Sequence, residues 1–203
     1  MPKEARHKQR QMRTRIAATA ARIMAEDGVE DFALAKRKAA HQLGAEATQA
    51  LPDNEEIEFE LRTYQSLYQG EEQRERIRTL RGQALEVMRL LESFRPYLCG
   101  PVLKGTAGRY SDIDLQLFTD DSKAVEMFLL NHSIPYEVTQ QRHFAGDLER
   151  TVSVLKLDWN DVPINIAVNL ANDERGTLRT TPAGRPIERA GITSVALLLA
   201  GDA

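Results

Sequence analysis

Two aspartates one residue apart, Asp112 and Asp114 in the run Ser111-Asp112-Ile113-Asp114-Leu115, are the residues of this 203-residue sequence whose types and spacing can do chemistry. Ile113, Leu115 and Leu117 alternate with Asp112, Asp114 and Gln116. That is the period of a β-strand, so the carboxylates project together from one face while the aliphatic side chains enter a core. Two carboxylates held close repel one another unless a cation lies between them, and a hard divalent ion such as Mg²⁺ suits oxygen ligands. Just upstream, the small residues from Gly105 to Gly108 predict a turn whose backbone N–H groups are free to approach phosphate oxygens. Together these features describe a site for a metal-bound triphosphate.

Gly105-Thr106, followed after a short turn by Ser111-Asp112-Ile113-Asp114-Leu115, resembles the signature of the nucleotidyltransferase superfamily related to DNA polymerase β. The resemblance covers about 70 residues, roughly 100–170. It implies transfer of a nucleoside monophosphate from an NTP, ATP first among them, to a hydroxyl or phosphate acceptor, with Mg²⁺ held by three carboxylates. On this chain it implies that Gly105 and Thr106 contact the triphosphate, that Ser111 supports the turn, and that Asp112 and Asp114 hold the metal. The third carboxylate belongs on a later strand with apolar flanks. The segment Pro163-Ile164-Asn165-Ile166-Ala167 offers Asn165 there, and Asp158 on the preceding strand is the alternative. An asparagine offers a carbonyl oxygen to a metal but cannot take a proton from an acceptor. Two functions follow: a Mg²⁺-dependent nucleotidyltransferase with an unidentified acceptor, or a catalytically impaired protein of that fold that binds nucleotides or nucleic acid.

Patterning predicts the elements that must position these groups. Ile16, Ala20, Ile23 and Met24 recur at helical spacing from Thr14 to Asp27, and a second helix opened by Asp31 carries Phe32, Ala35, Ala39 and Leu43 to one side. A third, capped by Asp53 or Asn54 and ended by Gly70, places Ile57, Leu61, Tyr64 and Tyr68 on one stripe. A fourth, residues 71–94, aligns Ile77, Leu80, Ala84, Met88 and Leu91. After Pro96 the period changes. Strands are expected at Cys99–Leu103, around Ile113–Leu117, at Pro135–Gln140, and at Val152–Trp159 with Val162–Val168, the last two joined by a turn at Asn160-Asp161. One helix opened by Asp121 or Ser122 crosses between them, and Ile192–Leu199 forms a closing helix. The expected fold is α+β: a mixed nucleotidyltransferase-like sheet with flanking helices over 95–203, after a helical region over 1–94.

Composition bounds the rest. A single cysteine, Cys99, excludes an intramolecular disulfide and a cysteine-based zinc site. No apolar run is long enough to span a bilayer, so no membrane partner is expected and the cytoplasm is the expected compartment. The net charge of −3 divides unevenly: residues 1–50 hold ten Lys or Arg against six Asp or Glu, and the remainder 17 against 24. Two short helices broken at Gly28, with Lys36, Arg37 and Lys38 in the second, loosely resemble the start of a helix-turn-helix regulator. Nucleic acid is therefore a partner to consider for these basic helices, the alternative being a helical cap packed on the core. His7, His41, His132 and His143 show no metal-ligand spacing and are expected at the surface. Trp159 is expected to pack, and Arg175, Arg179, Arg185 and Arg189 form a loose basic series that reaches a phosphate or stays solvated.

Overall fold

The computed structural model describes residues 2–201 other than 30, 47, 49, 69, 147, 181–183 and 185, with side chains from residue 6 onward. The chain divides into two compact units, residues 1–75 with 108–111, and residues 76–107 with 112–203.

The first unit is helical. It contains α1 (Pro2–Asp27), α2 (Phe32–Gln42) and α3 (Asn54–Tyr68). Asp31 caps α2, its carboxylate accepting from the N–H of Ala33 at 2.8 Å. Asp53 and Glu56 open α3 as a reciprocal capping box: the Asp53 side chain accepts from the Glu56 N–H, and the Glu56 side chain accepts from the Asp53 N–H. Ile16, Ala20, Ile23, Ala35, Ala39, Ile57 and Leu61 are buried together, as their helical spacing predicts. The stripe on α3 does differ from expectation. Its buried residues are Ile57, Glu58, Leu61 and Gln65, while Tyr68 is 71% exposed. The apolar period runs out after Leu61, and the Tyr64 hydroxyl donates to the Glu26 carboxylate instead.

In the second unit, α4 (Gly70–Leu90) arrives from the first and is followed by a 3₁₀ turn (Glu92–Phe94). Then come β1 (Tyr97–Cys99), α5 (Gly100–Lys104), β2 (Ile113–Phe118), α6 (Ser122–Asn131), β3 (Glu137–Ala145), β4 (Leu148–Trp159) and β5 (Val162–Asn169). A 3₁₀ turn (Ala171–Arg175), β6 (Leu178–Arg179), β7 (Arg189–Gly191) and α7 (Ile192–Gly201) complete it. The sequence expectation of a strand through Cys99–Leu103 is corrected here: only Cys99 belongs to β1, and the rest of the run is helix. Pro101, in the first turn of α5, lacks an N–H where none is needed, and Gly105 supplies the left-handed residue that ends it.

Among the described residues seven strands form one mixed sheet in the order β6-β3-β4-β5-β2-β1-β7, in which the β2–β5 pairing is parallel and the other pairings are antiparallel. Asn160 and Asp161 both adopt positive φ, 49° and 64°, which is the geometry a two-residue hairpin turn between β4 and β5 requires. One face of the sheet is apolar. Leu98, Ile113, Leu115, Leu117, Leu155, Leu157, Ile164 and Ile166 are buried with Ala84, Met88 and Leu91 of α4, Val125 and Leu129 of α6, and Val195 of α7. Alternation therefore leaves Asp112, Asp114, Gln116, Asn165 and Lys156 to the opposite face.

Candidate metal and nucleotide site

Parallel pairing puts Asn165 of β5 directly beside Asp114 of β2. The Asn165 Nδ2 donates to Asp112 Oδ2 at 2.9 Å and to Asp114 Oδ1 at 3.1 Å. One nitrogen thus lies between two carboxylate oxygens, so those oxygens converge on a single point. Asp158 is placed differently. It is exposed, stands opposite Pro163 in the β4–β5 hairpin, and makes no hydrogen bond to either aspartate among the described residues. Among the described residues no group of three or more His, Cys, Asp and Glu side chains could hold a metal; the side chain beside the two aspartates is the Asn165 amide.

Asp114 is also constrained from β1. Cys99 pairs with it in register, and the Cys99 Sγ lies 3.3 Å from its carbonyl oxygen. The next residue, Gly100, has φ +69°, and a Cβ there would run into Asp114 Oδ2 and lie 3.3 Å from Asp114 Cβ and Cγ. Glycine is required on both counts: the backbone is left-handed and the carboxylate lies against it. Burial pushes the Cys99 thiol far above its usual range; the neighbouring Asp114 charge adds to the rise, and Arg189 opposes it.

The Gly105-Thr106 corner closes α5. The N–H of Thr106 donates to Pro101 O at 2.9 Å and that of Gly105 to Val102 O at 3.4 Å, the paired bonds of a Schellman motif. Buried Arg81 of α4 also donates to this end of the helix, from Nε to Val102 O at 3.2 Å and from Nη2 to Leu103 O at 2.8 Å. The amides expected to be free for phosphate at Gly105 and Thr106 are therefore engaged, because a helix too short to show in the hydrophobic pattern ends at that point. Ser111 closes the turn from Gly108: its Oγ accepts from the Gly108 N–H at 2.8 Å, and its own N–H donates to Gly108 O at 3.4 Å.

Two further residues, Lys156 and His143, belong to no motif in the sequence. Lys156 stands opposite Asn165 in the β4–β5 ladder, so their Cβ atoms are about 5 Å apart on one face. Its position between Leu155 and Leu157 already signalled an outward side chain. His143 is the second, and the expectation that it lies at the surface is corrected: it is 3% exposed, with Nδ1 bonded to Asn169 Oδ1 at 3.0 Å. Its partner Asn169 lies 26 residues further along the chain, a contact for which local patterning gives no signal.

Trp159 packs against the core and donates from Nε1 to Glu86 Oε2 at 3.2 Å. Arg189 lies over the rings of Tyr97 and Phe118 and donates to the carbonyls of Glu174 and Gly176. Arg179 donates to Gly146 O, Arg175 is exposed, and Arg185 lies outside the described residues. Arg37 and Lys38 are exposed, but Lys36 is half-buried and donates to Asn54 Oδ1 at 2.7 Å, and its loss of hydration lowers its pKa. Among the described residues no helix is long and apolar enough to cross a membrane.

Fold and site together define an α+β protein whose mixed sheet carries a paired-carboxylate cluster on the face away from its helices. Compared with protein-family models, curated proteins and solved structures, the chain matches none.

Proposed function

We propose that Asp112, Asp114 and Asn165 form a Mg²⁺ site and that the chain is a nucleotidyltransferase, moving a nucleoside monophosphate from an NTP, ATP the first candidate, to an acceptor hydroxyl or phosphate. The observation that carries this reading is the convergence of Asp112 Oδ2 and Asp114 Oδ1 on one nitrogen. The donor set fits the ion. Mg²⁺ is commonly bound by one or two carboxylates together with substrate phosphates and water, and a half-turn of the Asn165 amide presents its oxygen in place of its nitrogen. When bound, Mg²⁺ supplies charge neutralisation at the α-phosphate and the leaving pyrophosphate.

The protein's own groups have narrower tasks. Asp112 and Asp114 would hold the ion through their anionic oxygens, and the Asp114 carboxylate lies so close to Gly100 that a side chain there would displace it. With the Gly105 and Thr106 amides engaged, phosphate contact falls to the exposed Lys156 ammonium beside Asn165. Asn165 takes no proton, so the acceptor's proton passes to water or to the departing phosphate oxygens.

That last feature favours one second reading, nucleotide binding without turnover. Pyrophosphate release from each NTP, with pooled cell extract as the source of acceptor, separates the two. Release that depends on Mg²⁺ and disappears in the Asp112→Asn, Asp114→Asn double variant supports transfer. Equal background from both proteins removes the enzymatic reading, and calorimetric binding of NTP with Mg²⁺ under those conditions then identifies a binding protein.

A further inference from the structure

A second polar site lies where β2 and β5 end, five residues and roughly 16 Å along the strand from Asp114 to Thr119. It is a cavity of about 290 Å³, at the small end of the range for small-molecule pockets. His143 lines it while being 3% exposed. The state of its ring is set from behind. Asn169 Nδ2 donates to Ala167 O at 3.2 Å and Leu117 O at 3.5 Å, which turns Asn169 Oδ1 toward His143 Nδ1 at 3.0 Å. An amide oxygen only accepts, so Nδ1 carries the proton, and in the neutral ring Nε2 holds a lone pair. No partner meets that Nε2 among the described residues.

Arg150 stands directly opposite His143 in the β3–β4 ladder and lines the same cavity. Its guanidinium makes no hydrogen bond among the described residues; its buried Nε is 3.8 Å from Asp173 Oδ2, an ion pair without hydrogen-bond geometry. Asp173 and Asp120 bring two carboxylates to the lining, and Asp120 is held by the N–H of Ala171 at 3.1 Å. One cation therefore faces two anions and a lone-pair acceptor. A simple anion would meet the carboxylates, and a simple cation would meet Arg150. A small molecule carrying both signs satisfies every group.

We propose that this cavity binds a free α-amino acid, with the ligand carboxylate on Arg150 and its ammonium donating to Asp120, Asp173 and His143 Nε2. The site is independent of the proposed nucleotide site and shares no side chain with it. Calorimetry of the wild-type protein with each common amino acid, with acetate and with methylamine tests it. At least one amino acid binds with a dissociation constant below about 1 mM, and both single-charge probes bind at least about tenfold more weakly. Arg150→Gln and the exposed Asp120→Asn each weaken binding about tenfold, with melting temperatures recorded to confirm folding, while Asp112→Asn with Asp114→Asn leaves it within about twofold. In ¹⁵N spectra of the imidazoles, His143 shows the Nδ1–H tautomer and its Nε2 resonance moves on binding. The proposal is overturned if no amino acid binds at about 10 mM, if acetate binds as tightly, or if both folded variants keep wild-type affinity.

Discussion

Asn165 lies beside Asp114 in the parallel pair β2–β5, and its amide nitrogen donates to Asp114 and Asp112 at once. Lying between them, the amide offsets the repulsion of the two carboxylates. Replacing it by a third carboxylate reverses that balance. Asn165→Asp removes two hydrogen bonds and adds a like charge, so the variant is less stable than wild type in a chelator at neutral pH by about 1–3 kcal/mol. Added Mg²⁺ restores the loss. Thermal melts with and without the metal read this directly.

Gly100 makes a complementary claim about Asp114. Its φ of +69° and the carboxylate lying against it leave no room for a methyl group. Gly100→Ala destabilises the second unit by about 1–3 kcal/mol and displaces the Asp114 side chain. Denaturant unfolding gives the energy, and a fall in cation affinity larger than the stability loss alone would cause reports the displacement.

Glu56 gives the helical unit a pH dependence. A side-chain hydrogen bond from Arg13 is the main reason its carboxyl titrates below the ordinary value of 4.5, with the Asp53 N–H assisting and partial burial opposing. A depressed carboxyl stabilises the fold above its unfolded pKa, and that contribution disappears as pH falls through the folded value. The pair is about two-fifths exposed, at 39% and 42%, so the effect stays under about 1 kcal/mol. Glu56→Gln lowers stability at pH 7, and the difference from wild type closes in acid; urea midpoints at pH 7 and in acid measure it.

Cys99 reports on the packing beneath the site. Burial is the largest cause of its raised pKa, ahead of the Asp114 charge. The native thiol therefore resists alkylation at pH 8, and removing the charge with Asp114→Asn does not expose it; the single thiol reacts once the chain is unfolded. Thiol counting against time distinguishes the two states.

The parts of the fold readable in the sequence are those whose signal is local. The apolar stripe of Ile77, Leu80, Ala84, Met88 and Leu91 is buried as its spacing predicts, Asp31 and Asp121 cap the helices they precede, and Asn160-Asp161 turns a hairpin. The alternation around Asp112 and Asp114 placed both on one face. What stayed hidden depended on partners distant in the chain. The pairing of β2 with β5 brings Asn165 to the aspartates across 51 residues, and His143 is buried by contact with Asn169. The five-residue helix α5 was hidden for a different reason. A run that short shows no helical period, so Cys99–Leu103 reads as a strand, although Pro101 stands in the first turn of a helix and Gly105 ends it.

In the proposed function Asp112 and Asp114 hold a divalent cation together with a nucleoside triphosphate. Titration with Mn²⁺ as a spin-active substitute for Mg²⁺, in the presence of ATP and with free Mn²⁺ counted by electron paramagnetic resonance, tests it most directly. Wild-type protein is expected to retain the ion as its ATP complex, and the Asp112→Asn, Asp114→Asn double variant, folded by its melting curve, to bind at least about tenfold more weakly. Equal retention by the two proteins would contradict the assignment.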